Sequence, residues 1–469
     1  DVYFNSVSFE KGATFDHCEW ARGATFENSV FRGPVSFHNS ELGGRLNMSR
    51  TIIEDSLLVK EMQLDGMDFI GAWLKGDAAF TDVVFEGKVR FSLDDITRAQ
   101  HLDNPTELLP MYRDYQGDKD AEEALTTRSS YGVEHVDDLI ARIDGNLSFA
   151  NSMFKGFVIF ERVQFGEPGV KSTAEFYNTQ FKGESHFERT EWWSDADFTT
   201  IFGNELSFYE ATFHSMFSMD DANVFGRVNV ADAVFTDEAS LSFYEAEILT
   251  LQINREQLER GDGTRRLFYD DCAQGRFDRS DIRLQRLLRQ RGELSDDDIM
   301  RTCYSRVLDE YILFKESFSD RGMVPEEDWS YWWYKHHELF QRMRLGQSVG
   351  ERVGAVLLYP VFELAFGWGV RLSNLGFTCL FITVLFAVLY RVFCPHTVVM
   401  YNGDDVAMRD IPWHGLLYIS LQTLGGFNTG WDFGEDDHHV FQYLNTLETF
   451  LGIVILTFFV GAYTRIILA

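Results

Sequence analysis

The run Thr423-Leu424-Gly425-Gly426-Phe427-Asn428 closes a short apolar stretch, 411–424, and has the residue types to bind a cation through backbone oxygens. An ion entering low-dielectric surroundings needs its water shell replaced, and carbonyls can replace it where glycine lets the chain turn tightly. Four acids follow, Asp432, Glu435, Asp436 and Asp437, which would gather cations at an outer mouth. Their plainer reading is a solvated loop in an acidic chain. An apolar segment lies on either side: 372–393, free of charge until Arg391, and 447–469, with Glu448 near its start and Arg465 near its end. Each is long enough to cross ~30 Å of hydrocarbon. Irregular backbone is tolerated at membrane depth only where it is buried in protein or lines water. The spacing therefore predicts two spans, 372–393 and 447–469, around a re-entrant loop at 411–430 that begins with a short helix. The second span also holds Gly452 and Gly461, glycines that suit close helix packing, with Tyr463 and Thr464 after them.

The elements that would carry this loop come earlier. Large apolar residues recur at steps of five and six: Phe4, Phe9, Phe15, Trp20, Phe26, Phe31, Phe37, Leu42, Met48. The pattern continues to Phe91, returns at Phe149 and Phe154, runs on through Phe176, Phe187, Phe198, Phe208 and Phe213, and closes near Phe243 and Ile248. Two residues before most of them stands a small or β-branched residue, such as Ala13, Ala24, Ser29, Val35, Ser40 or Thr179. Neither the helical period of 3.6 nor the strand period of 2 gives this spacing. A coil turning a corner about every five residues does, with one bulky and one small side chain inside at each step. The pattern resembles the pentapeptide-repeat family over 1–249, interrupted at 94–144. The resemblance implies a right-handed quadrilateral β-helix, whose neighbouring turns stack on one continuous core.

Residues 250–346 read as a helical linker. Ile282, Leu284, Leu287 and Leu288 have helical spacing, Ser295 followed by three Asp looks like a helix start, and 299–318 and a helix from Pro325 form an antiparallel pair. Trp329, Trp332, Trp333 and Tyr334 are the expected core of that pair or a contact surface. Adjacent His336 and His337 point to different helix faces, which argues against a shared metal. Residues 347–371, apolar but interrupted by Pro360, Glu363 and several Gly, suit a helix lying in the membrane interface.

The chain has 469 residues and a formal charge of −31, from 73 acidic against 42 basic residues. That excess excludes nucleic acid as an expected partner, since phosphate neutralisation needs clustered Lys and Arg. An acidic surface that is also poor in Lys stays hydrated in molar salt and points to a salt-loving, haloarchaeal-type prokaryote. The five scattered Cys fit a reducing interior and no zinc cluster. The start without Met reads as trimmed, and no cleavable signal is expected. Basic residues cluster before the first span (Arg342, Arg344, Arg352, Arg371) and are scarce between the spans. This bias keeps the repeat in the cytosol of a multi-pass protein of the cell membrane.

Thr423-Leu424-Gly425 matches the start of the potassium-channel filter Thr-Val-Gly-Tyr-Gly, the sequence that the general account of such filters takes as its example. Gly426 then stands at the Tyr, Phe427 at the second Gly and Asn428 at the usual acid. The tail thus resembles two-transmembrane pore-loop cation channels, and the whole chain resembles prokaryotic pentapeptide-repeat proteins carrying such a domain. The resemblance implies a homotetramer passing K+ or Na+, with altered selectivity where Phe replaces Gly. It also implies a cytosolic repeat that assembles or gates the pore, and a second span that lines the cavity, with Gly452, Gly461, Tyr463 and Thr464 as the candidate hinge and constriction, a hinge role for each glycine standing equally beside packing. A regulatory divalent cation or an unknown cytosolic ligand is compatible with the acidic surface; no bound cofactor is expected. The competing expectation is a membrane-anchored scaffold binding a protein partner. An enzyme is not expected: no nucleophile stands at motif spacing from a base, and there is no metal triad or phosphate loop.

Overall fold

Phenylalanines five or six residues apart require a chain that turns repeatedly around them, and the computed structural model has that shape. It describes residues 1–92, 141–279, 284, 294–401, 404–426 and 439–468. From the N-terminus the chain winds as a parallel β-solenoid with four short sides to a turn. Val2–Tyr3 pairs with Ala24–Thr25 and Ser8–Phe9 with Val30–Phe31, so a turn takes 22 residues. One sheet holds nine strands, one from each of nine successive turns.

Parallel register stacks like on like. Phe9 lies on Phe31 with ring centroids 4.4 Å apart, Phe80 on Phe149 at 4.5 Å, and Phe154 on Phe181 at 4.7 Å. Such pairs contribute roughly 0.5–1.5 kcal/mol each beyond the area they bury. The small inward residues close the backbone's open hydrogen bonds. The Ser29 hydroxyl donates to the Phe4 carbonyl at 2.6 Å and accepts the Val7 N–H at 3.1 Å; Ser40 does the same between Phe15 and Cys18, and Thr51 and Thr179 donate to Phe26 and Phe149. Every second corner holds a left-handed residue, eleven apart in Ser6, His17, Asn28, Asn39, Arg50 and Glu61. Among residues with a side chain, Asn tolerates this conformation at low cost.

Arg45 and Arg90, on the turns either side of Asp68, both fork onto its carboxylate, at 2.6 and 2.7 Å for the shortest bonds. Burial alone would raise the Asp68 carboxyl, but hydrogen bonds and charge from Arg90 and Arg45 hold it below the usual value.

The repeat resumes sooner than its spacing indicates. Trp73–Leu74 pairs directly with Arg142–Ile143, so strands return at 142 inside the expected 94–144 insert, whose remainder lies outside the described residues. The end is also later than 249: Glu247–Gln252 is a strand paired with Asn223–Asn229. Beyond it come short helices α1 (Arg255–Leu258) and α2 (Phe268–Ala273) and the long α3 (Asp296–Asp320). Solenoid ends expose core rings and need a cover. Here Phe314 of α3 meets Phe243 edge-on at 5.6 Å, and buried Glu310 accepts the Phe243 N–H at 2.8 Å. Of the four apolar residues expected on a helix at 282–288, Leu284 alone is described.

The chain forms two compact units, Asp1–Ser317 and Phe318–Ala469. The second holds α4 (Val324–Leu345), α5 (Val349–Leu358), α6 (Leu372–Phe393), the hairpin Val398–Tyr401 with Asp404–Ala407, α7 (Trp413–Leu424) and α8 (His439–Leu468). Two expectations are corrected here. The single helix over 347–371 is broken: after α5 comes a π-helical turn, Tyr359–Ala365, then a 3-10 turn, Gly367–Gly369. Gly367, Trp368 and Gly369 all have positive φ, which ends the helical ladder. Buried Glu363 fastens the break, accepting Trp368 Nε1 at 2.6 Å and lying 2.8 Å from His336 Nδ1. The second apolar helix starts at His439, not 447, because polar residues such as Gln442 and Asn445 continue it.

Candidate functional site

Two helices of the second unit are long and apolar enough to cross a membrane, Ser373–Phe393 and His439–Gly461. Between them in sequence, α7 packs on both α6 and α8. Pro412 precedes its first turn, and Gly425 and Gly426 end it, Gly426 with φ +72°. The expected helix start at 411 moves to Trp413, because Pro412 has extended backbone there. Arg391, near the end of α6, fixes the entry: its guanidinium donates to the carbonyls of Ile411 at 3.2 Å and Arg409 at 3.1 Å, and covers the Trp413 ring at 4.7 Å. A helix C-terminus carries about half a negative charge, so the Leu424–Gly426 end suits a cation.

Thr423 and Leu424 are buried, with the Thr423 hydroxyl on the Ile419 carbonyl at 3.1 Å. Gly425 and Gly426 are exposed at the turn. Phe427 and Asn428, and all four acids Asp432, Glu435, Asp436 and Asp437, lie outside the described residues. The two candidate hinge glycines differ. A Cβ on Gly452 would sit 1.8 Å from the Leu424 carbonyl oxygen, so this glycine lets α8 meet the loop backbone; a Cβ on Gly461 would meet nothing within 4 Å. Tyr463 and Thr464 are exposed on the last turns of α8.

The sequence reading named Glu448 only as an acid near the start of a span. It lies well inside α8, wholly buried at 0% exposure. One carboxyl oxygen accepts the Ser420 hydroxyl of α7, and the other accepts the Tyr390 hydroxyl of α6 at 2.5 Å. Three helices therefore meet at one carboxyl directly behind the Thr423–Leu424 turn. The signal that could have found it is the cost of an acid within an apolar helix, which requires partners.

On the solenoid, where no metal ligands were expected, Glu161, His186 and Glu188 bring ligand atoms within 4.8 Å of one another. The Glu188 carboxylate, 3.4 Å away, raises the His186 imidazole above its ordinary value. Burial pushes Glu188 up, but His186 and Ser207 outweigh it and leave the carboxyl lowered. One turn of parallel stacking brings these residues together. His336 faces Glu363, its Nδ1 2.8 Å from a carboxyl oxygen.

A family model described as Pentapeptide repeats (9 copies) matches residues 1–52. No curated protein matches the chain, and no solved structure does. The first part of the chain is a pentapeptide-repeat β-solenoid, and a helical region with two membrane-length helices follows it.

Proposed function

We propose that the chain is one subunit of a cation channel of the cell membrane, with a cytosolic solenoid that assembles the pore or gates it. One observation carries this reading: a short helix ending in Gly425-Gly426 is seated by its C-terminal turn against the backbone of one membrane-length helix at Gly452, and braced by a second. A simple anchor needs no such loop, and a buried carboxyl behind it is costly unless it serves a purpose. Only 28% and 22% of the two apolar windows is buried within the chain, which supports cover by lipid or by further copies. One such loop cannot enclose an axis, and a homotetramer supplies four. Carbonyls of 423–426 would then line the ion path for K+ or Na+, with the sequence departure at Gly426-Phe427 relaxing strict potassium selectivity. The acidic surface suits a salt-rich environment.

The reading is tested by ion flux in liposomes carrying the purified full chain, with potassium, sodium, calcium and chloride gradients applied separately. Cation flux is expected. Its absence under every gradient would favour a membrane-anchored scaffold.

A further inference from the structure

We infer that Glu448 is the positioning residue of the pore loop, holding the Thr423–Gly426 turn in the geometry on which ion discrimination depends. This rests on the channel reading above.

The carboxyl has two oxygens and each takes a hydroxyl from a different helix, Ser420 on α7 and Tyr390 on α6. Both hydroxyls are buried, as is the carboxyl itself. Ser420 stands three residues before Thr423, nearly one helical turn, so its hydroxyl sits beneath the turn that would face the ion. The same face of α8 carries Gly452, one turn further on, where the Leu424 carbonyl rests on the helix backbone. The loop end is thereby held at two points on one helix stripe, by a hydrogen bond at 448 and a backbone contact at 452. Tyr390 ties that stripe to α6. Glu448 acts through the position of 423–426, where shifts well under an ångström change which ion is coordinated best.

Packing alone would not need this chemistry. An apolar residue at 448 would fill the space at lower cost in a membrane, but it would leave two buried hydroxyls without acceptors. A carboxylate carries two separate acceptor oxygens and no donor, so it can serve one hydroxyl with each.

The test compares the full-length protein with Glu448→Gln, Glu448→Ala, Ser420→Ala and Tyr390→Phe. Relative permeabilities are read from reversal potentials across the series from Li+ to Cs+, and amide hydrogen exchange is followed over 419–426. Glu448→Ala is expected to conduct but to shift at least one permeability ratio by about threefold or more, and to exchange 419–426 about tenfold faster with the solenoid unchanged. Glu448→Gln, which keeps one acceptor, should recover part of both. Adding Tyr390→Phe to Glu448→Ala should change little, because their shared bond is already gone. Wild-type permeability ratios in every variant that conducts, or unchanged exchange over 419–426, would overturn the inference. If Glu448→Ala does not fold, the Ser420→Ala and Tyr390→Phe pair decides by the same two readings. A wild-type protein without flux would sink the channel reading and this inference with it. The exchange data would still report whether Glu448 holds the loop.

Discussion

Replacing Gly452 by alanine puts a methyl 1.8 Å from the Leu424 carbonyl oxygen, 2.7 Å from its carbon and 3.1 Å from its Cα. A carbon–oxygen contact settles near ~3.3 Å, so helix and loop must part by about 1.5 Å. All three neighbours are backbone atoms and cannot swing aside. Overpacking a well-packed site costs typically about 1–3 kcal/mol, and here the displacement falls on the residue before Gly425. The same substitution at Gly461 meets nothing within 4 Å and should gain roughly 0.5–1 kcal/mol from reduced chain entropy in a helix. The two changes share chemistry and helix and differ only in surroundings. In detergent-purified protein, a shift of roughly 2–4 °C in Tm is expected per kcal/mol for a unit of this size. Gly452→Ala should therefore lower Tm by several degrees and alter flux in liposomes. Gly461→Ala should leave flux intact and hold or raise Tm. Equal effects at both positions would refute the packing argument and favour a bend shared along α8.

Three further outcomes follow from the solenoid. Phe149→Ala removes a ring stacked between Phe80 and Phe176 and should cost about 3–5 kcal/mol, read as a lower denaturant midpoint. Asp68→Asn leaves Arg45 and Arg90 without their carboxylate and should cost about 1–3 kcal/mol, allowing for partial exposure of both guanidinium groups. Because the Asp68 carboxyl is lowered in the fold, that stability is present above the ordinary Asp value of ~3.9 and is lost as pH falls through the lowered one. Unfolding midpoints at pH 5 and pH 3 should converge between wild type and Asp68→Asn. Asp220 behaves oppositely. Burial, with a smaller push from Asp197, raises its carboxyl to about 6, against hydrogen bonds from Ser242, Tyr269 and the Tyr244 N–H. Its contribution is full below ~3.9 and is lost as pH rises through about 6. Asp220→Asn should flatten that part of the stability profile, measured by unfolding between pH 4 and 7.

The solenoid was legible because its core repeats locally: each Phe lies five or six residues from the next, and no other element has that step. The turn of the loop was legible for a similar reason, since Gly425-Gly426 directly follows an apolar helix. The brace behind it was not. Glu448 reaches Ser420 across 28 residues and Tyr390 across 58, and no periodicity records a bond between three separate helices. Hydropathy also set the start of α8 too late, because a helix continues through Gln442 and Asn445 as readily as through leucine. The break at Trp368 escaped for a different reason: a left-handed Trp is disfavoured locally, and Glu363 and its bond to Trp368 hold it there. The Arg142 strand looked like part of the insert because only its pairing with Trp73 reveals it.

The most direct measurement is the reversal potential of the purified full chain in planar bilayers under asymmetric potassium chloride. A channel lined by carbonyls of 423–426 predicts a reversal near the potassium equilibrium potential, and current lost when Gly425 is replaced by a bulky residue. No current under either gradient direction, or a reversal at the chloride potential, would contradict a cation pore.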